Sequence, residues 1–339
     1  MKSSSLHENT VVEFIPVRRL RNQAAPEATG TERWVRRAGR RTCFSLALLL
    51  CLGLAEHAAG SGSSILLLTP GGRAGALAGA FAAVSDDAQA IFYNPAGMGL
   101  ISDPEAGVMY MSRGPSLISK RHFLTADVFF PTENYGIGGG LLYENRADEG
   151  ANGSSYTLCG TLASGSKLGG RIAFGVGAKY LRNVEQSREA SVVGGDLGLL
   201  LNFSPVVLGF SMQNWEGVLD YGAWEEELPG IVRFSIAYFE PASGSPIAVE
   251  YRRVDREEGS TLAAGVEIPT VERKFYLRTG YIRETGSGGG SFLLGFGLRL
   301  MEQADASTNH PIGYELNVYD NLSAGGLRDL RIELRRRRL

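Results

Sequence analysis

The residues able to do chemistry are few and scattered. Beyond residue 60 the histidines are His122 and His310, and neither lies near a cysteine or an acidic cluster. Zinc sites need ligand pairs at short spacing, and the 3 cysteines supply no such pair. No Gly-x-Ser-x-Gly nucleophile turn occurs, and Gly138-Gly139-Gly140 lacks the lysine and helix of a phosphate loop. Asp86-Asp87 falls short of the ligand count of a calcium loop, so helix capping or pairing with arginine is its expected role. The sequence thus predicts no catalytic residue, no metal, no cofactor and no enzyme. What remains is a set of charges on the polar faces of alternating runs: Arg171, Lys179, Arg233, Glu250, Arg252, Arg278 and Arg299. Facing inward, they would line a passage or hold a lumenal segment through ion pairs to Asp86 and Asp87.

Those charges are positioned by segments of about ten residues in which large apolar residues alternate with small or polar ones. Phe292, Leu294, Phe296, Leu298 and Leu300 share one face, with Ser291, Leu293, Gly295, Gly297 and Arg299 on the other. Ile172, Phe174, Val176 and Tyr180 oppose Arg171, Gly175, Gly177 and Lys179 in the same way. Strands in soluble proteins average about 5–6 residues, whereas tilted membrane-spanning strands need about 9–11. Such runs begin near Glu105, Arg121, Tyr135, Ser154, Leu168, Ser191, Val206, Gly230, Ser245, Gly259, Lys274, Gly290, Ile312 and Leu327. An even number of them suits closure into an antiparallel barrel, which leaves no sheet edge for lipid to meet. The sequence therefore predicts an all-β fold, a transmembrane barrel of about fourteen strands over 105–339.

Composition agrees. There are 45 glycines in 339 residues, about twice the usual share, with no collagen period. In this reading glycine leaves room on the inward face, as at Gly175, Gly177, Gly295 and Gly297. A hydrophobic fraction of 44% excludes disorder, and a formal charge of -2 argues against nucleic acid as a partner. Tyr110, Phe129, Phe130, Tyr143, Tyr180, Tyr238, Phe239, Tyr251 and Tyr281 suit aromatic girdles at the membrane interfaces.

Residues 1–60 read as leader and signal. Arg36, Arg37, Arg40 and Arg41 precede an apolar run from Cys43 to Ala55 and the small residues Ala58-Ala59-Gly60. That run is shorter than the roughly 20 residues of a spanning helix. Residues 1–34 are expected to be unstructured, or to precede the true start of translation.

Residues 61–104 form a distinct segment ahead of the strands, rich in small residues and without alternation. Asp86-Asp87 is placed to cap a short turn through Ala88–Tyr93, and Asn94-Pro95 to break it. From Arg73 to Met98, the Gly-Ala-Phe, Asp-Asp-Ala and Tyr-Asn-Pro-Ala-Gly elements resemble the N-terminal signature of the PorV/PorQ family, which belongs with the FadL-like long-chain fatty acid transporters. The resemblance implies an N-terminal lumenal hatch carrying Asp86, Asp87, Asn94, Pro95, Ala96 and Gly97, in a bacterial outer-membrane barrel. It implies passive transport of small hydrophobic molecules, with outer-membrane lipid around the wall. It implies as the alternative a carrier of secreted cargo proteins in type IX secretion; long outer loops would favour that role, and 214–229 and 253–258, with Trp215, Tyr221 and Trp224, are the candidates. Barrels of this kind usually finish on an aromatic residue. This chain runs past Leu334 into Arg335-Arg336-Arg337-Arg338, expected to be a solvated basic tail.

Overall fold

A computed structural model describes residues 62–338, apart from 115–120, 147–154, 186–187, 256–258, 271–273, 286–288, 302–311 and 322–327. The leader and signal expected in 1–60 lie outside the described residues, as does His310. The first half of the wall comprises β1 Glu105–Gly114, β2 Arg121–Pro131, β3 Tyr135–Arg146, β4 Ser155–Leu168, β5 Ile172–Glu185, β6 Arg188–Phe203 and β7 Val206–Trp215. A small hairpin of β8 Val218–Asp220 and β9 Glu225–Glu227 follows. The wall resumes with β10 Ile231–Phe239, β11 Pro246–Val254, β12 Ser260–Thr270, β13 Phe275–Glu284, β14 Gly290–Met301, β15 Ile312–Asn321 and β16 Arg328–Arg338. β1 pairs back with β16, so the fourteen wall strands close into one antiparallel barrel. Each starts within four residues of the position expected from the alternation.

Wall strands run from 9 residues (β10, β11) to 16 (β6), long enough to cross a bilayer at a tilt. Along β10, Phe234 is 54% and Ile236 47% exposed, while Arg233, Ser235 and Ala237 are buried. Large apolar residues outside and arginine inside reverse the pattern of a soluble protein, because here the outside solvent is lipid. No described helix is long and apolar enough to cross a membrane; the strands do it. Closure leaves every wall strand paired on both sides, as hydrocarbon demands. The end of the barrel that carries both ends of the wall has short turns such as 132–134, 169–171 and 204–205. Short turns mark the periplasmic side of such barrels, so this is called the inner end and the other the outer end.

Residues 62–104 occupy the lumen. A 3-10 turn, Gly62–Leu67, lies at the outer end, where Ser63 N donates to Glu226 Oε1 of β9 (2.8 Å) and Arg121 Nη2 to Ser64 Oγ (3.3 Å). Helix α1 (Gly72–Ala76) packs toward β13–β16. Helix α2 (Ala90–Tyr93) ends where Asn94 turns extended, and a second 3-10 turn, Pro95–Gly99, packs on β4–β6. The chain then enters β1 at the inner end. Ala74, Ala76, Leu77, Ala80, Phe81, Tyr93 and Ala96 have no exposed surface.

Three expectations are corrected. Arg171 is exposed in the β4–β5 turn, because β5 begins one residue later. Phe129 and Phe239 are buried inside the barrel rather than set in a lipid girdle. Their neighbours Phe130 and Tyr238 are exposed, and consecutive residues on a strand cannot face the same side. The arginine run is no tail: β16 continues to Arg338, and Arg335 is buried in the lumen.

Candidate functional site

The boundary between the lumenal segment, hereafter the plug, and the wall is where sequence-predicted residues converge. Asn94 is its pivot. Its Nδ2 donates to Ala82 O (2.9 Å) within the plug and to Leu199 O (3.1 Å) on β6. Its Oδ1 accepts from Ala96 N (3.1 Å), capping the turn that Pro95 begins. Three wall glycines receive this corner. A Cβ on Gly198 would lie 2.1 Å from Asn94 Oδ1, one on Gly175 2.2 Å from Pro95 C, and one on Gly165 2.4 Å from Pro95 O. Gly97 is equally confined, since a Cβ there would sit 2.2 Å from Ser85 O. Glycine here is required by the close approach of backbone at Gly165, Gly175 and Gly97 and of the Asn94 side chain at Gly198.

Carboxylates of the wall hold the rest. Glu250 Oε2 accepts from Phe81 N (3.1 Å) and Ala82 N (2.9 Å), while its Oε1 accepts from Arg233 Nη1 (2.6 Å). Arg233 also donates to Gln213 Oε1 (3.0 Å) and stacks 5.4 Å from the Tyr93 ring; Gln213 Nε2 donates to Phe92 O (2.9 Å). Glu105 accepts from Ala88 N and Glu333 from Gly72 N, each at 3.0 Å. Plug N–H groups without helical partners thus find buried, charged acceptors, among the stronger hydrogen bonds available.

Arg73 is the one basic residue of the plug. It pairs with Asp86, with Asp87 (3.1 Å) and with Glu267 of β12 (2.8 Å). Burial opposes its charge, but Asp86, Glu267 and Asp87 outweigh this and hold its pKa well above the usual arginine value. The ion pairs of Asp86 and Asp87 thus include one within the plug itself, to Arg73. Asp87 also accepts from Gln89 N (3.0 Å), turning the chain just ahead of α2.

The other inward candidates brace the wall. Arg278 donates to Glu267 and Glu315, both at 2.8 Å, and Arg299 reaches Glu315 at 3.3 Å. Lys179 pairs with Asp196 (3.0 Å) and donates to Asn214 (2.8 Å), while half-buried Arg252 donates to Thr261 (3.3 Å). Arg335 grips Asp127 through two nitrogens (2.8 and 3.1 Å) and Glu333 at 2.8 Å. Among the described residues no group of three or more His, Cys, Asp or Glu is placed to hold a metal ion.

Sequence reasoning missed Arg73, Glu105, Gln213, Glu267, Glu333 and Arg335. For the wall residues a signal existed: Glu267 and Glu333 alternate with Val266, Ile268, Ile332 and Leu334, so parity alone turns them inward. Arg73 is the only charge from Gly71 to Val84, a stretch of mostly small residues.

No known protein family matches the sequence, and no curated protein is similar to it. Solved structures are. A Pseudomonas aeruginosa FadL homologue superposes with a TM-score of 0.55 at 11% identity, covering 79% of this chain and 96% of that one. The fold is FadL-like. The Pseudomonas putida toluene transporter TodX (TM-score 0.47, 10% identity, 74% of this chain and 92% of that one) and the Acinetobacter baumannii outer membrane protein Omp33 (0.40, 6%, 70% and 98%) are more distant, and nothing further rests on them.

Proposed function

We propose that this protein resides in a bacterial outer membrane and lets small hydrophobic molecules cross it passively, with residues 62–104 acting as a hatch that shifts to let them through. Residues 1–60 would serve export and be absent from the mature barrel. The PorV/PorQ resemblance of Arg73–Met98 belongs to this proposal, as do the roles of Asp86, Asp87, Asn94, Pro95, Ala96 and Gly97 as hatch residues.

The observation that carries the reading is how the plug is held. It joins no sheet ladder; side-chain carboxylates, one asparagine and glycine windows fix it. Such a segment can shift while the wall's own hydrogen bonds stay closed. The lumenal charges orient and brace it, so substituting them should alter plug position before barrel integrity. The test is uptake into proteoliposomes of oleate against glucose. The proposal expects protein-dependent entry of oleate and none of glucose; equal entry of both would mean an open pore, and entry of neither would remove the transport reading. If secreted proteins instead copurify in stoichiometric amount from the native membrane, the carrier role takes its place.

A further inference from the structure

The plug makes no use of the outer wall, yet that wall is not smooth. A groove of about 810 Å³ crosses the lipid-facing side of β1–β6 and reaches β15 and β16. Ala106, Ala126, Gly139, Gly160 and Ala178 make its floor. Register sets each small residue beside a large one, with Gly139 opposite Leu162 and Gly160 opposite Tyr180. A side chain at Gly160 would meet nothing within 4 Å, and one at Gly139 nothing closer than 3.7 Å. The floor therefore stands open to whatever surrounds the barrel. Six strands spaced about 4.8 Å apart make a trough roughly 24 Å long.

The trough also has a direction. On β1 it starts at Ala106, the second residue from the inner end; on β5 it has reached Ala178, midway along a 14-residue strand. One end thus opens at the inner membrane interface and the other in the middle of the hydrocarbon. At the interface end stands Arg336, opposite Ala106 on one side and Tyr314 on the other. Its side chain is exposed and has no acidic partner among the described residues. An arginine there is tolerable at the interface, and its guanidinium matches a phosphate in geometry and charge. A cation at the interface leading into an apolar trough toward the bilayer centre has the shape and polarity of a membrane lipid. A second copy of this chain would instead bring an apolar wall against Arg336.

We infer that this groove binds one glycerophospholipid of the inner-end leaflet, its phosphate on Arg336 and one acyl chain along the floor from Ala106 to Ala178. The inference rests on the barrel spanning a membrane, not on what passes through the lumen. The full chain, purified in mild detergent and delipidated, is titrated with dioleoyl phosphatidylethanolamine or with dioleoylglycerol, which has the same tails and no phosphate. Native mass spectrometry reads the bound lipid, and heat-modifiable migration on a gel checks that each variant is a closed barrel. The wild type should hold one phosphatidylethanolamine about fivefold more tightly than dioleoylglycerol. Arg336→Gln should erase that preference, whereas Arg253→Gln, an exposed arginine on the far wall, should leave it intact. Gly160→Leu should weaken both lipids roughly tenfold by displacing about two methylenes of the tail; Ala178→Leu gives the same reading if the first variant fails to close. Equal retention of the two lipids by the wild type, or full retention by both groove-filled variants, overturns the site. So does a lipid-free dimer, which would make the groove an interface between copies. Oleate uptake should be unchanged in Arg336→Gln and Gly160→Leu, so the lipid site and the transport reading fail separately.

Discussion

Replacing Glu250 by alanine should loosen the plug while the wall stays closed. Glu250 is 2% exposed and accepts from two plug amides and from Arg233. A hydrogen bond to a charged group contributes about 1.5–3 kcal/mol, and removing one partner of a buried ion pair costs about 3–5 kcal/mol. The two figures overlap, because the same carboxylate makes all three contacts, so about 4 kcal/mol is expected in total. Amide hydrogen exchange followed by mass spectrometry reads it directly. If Phe81 and Ala82 exchange through local release of the plug, about 4 kcal/mol speeds them several-hundredfold, at roughly tenfold per 1.4 kcal/mol. Wall amides of β10 and β11 should change little. Glu250→Gln keeps the volume and one acceptor and should fall about midway, and Arg233→Met added to it should recover part of the loss by removing the orphaned cation. Unaltered exchange at Phe81 and Ala82 in Glu250→Ala would refute the anchoring role. Equal acceleration in plug and wall would refute the idea that the two are separable.

Other expectations follow from the same geometry. Gly198→Ala, whose new methyl would overlap Asn94 Oδ1 and crowd Ala96 N, should displace the corner at Asn94-Pro95 and expose 82–98 to limited proteolysis; Gly160→Ala on the outer face should match the wild type. Arg335→Ala takes both guanidinium contacts from buried Asp127 and one from Glu333, and should lower stability by about 3–5 kcal/mol in detergent melts, whereas exposed Arg336→Ala should stay within about 0.5 kcal/mol. If the arginine run were a solvated tail, the two substitutions would behave alike. Arg73→Met should release both Asp86 and Asp87 and accelerate exchange across 85–90 without altering heat-modifiable migration.

The wall was legible because period-two alternation at membrane-spanning length is a direct imprint of lipid on one side and lumen on the other. Strand positions and the inward glycines followed from it. Parity reached further than simple composition: it separates Phe129 from Phe130 and Tyr238 from Phe239, and it carries Arg331, Glu333 and Arg335 inward in β16. Arg171 was misplaced because alternation fixes faces well and ends poorly; a turn residue keeps the parity of the strand it precedes. The contacts of the plug were not legible. Asn94-Pro95-Ala96 stands out in the sequence, but that it docks into Gly165, Gly175 and Gly198 on three different strands depends on closure of the whole barrel. Likewise the pairing of Asp86 and Asp87 with Arg73 depends on the path of the chain between them.

The central claim is that the plug must shift for hydrophobic molecules to cross. A Cβ on Gly280 would lie 2.6 Å from Ala78 N and 2.8 Å from the Ala78 Cβ, so cysteines at these positions part plug and wall by about 1 Å to reach disulfide geometry, and the reduced pair is compared with the wild type as well as with the oxidised pair. Oleate uptake by proteoliposomes carrying Ala78→Cys/Gly280→Cys, in a Cys159→Ser background, is the most direct measurement. Uptake should be lost when the pair is oxidised and return on reduction. Equal uptake in the oxidised and reduced states would contradict it.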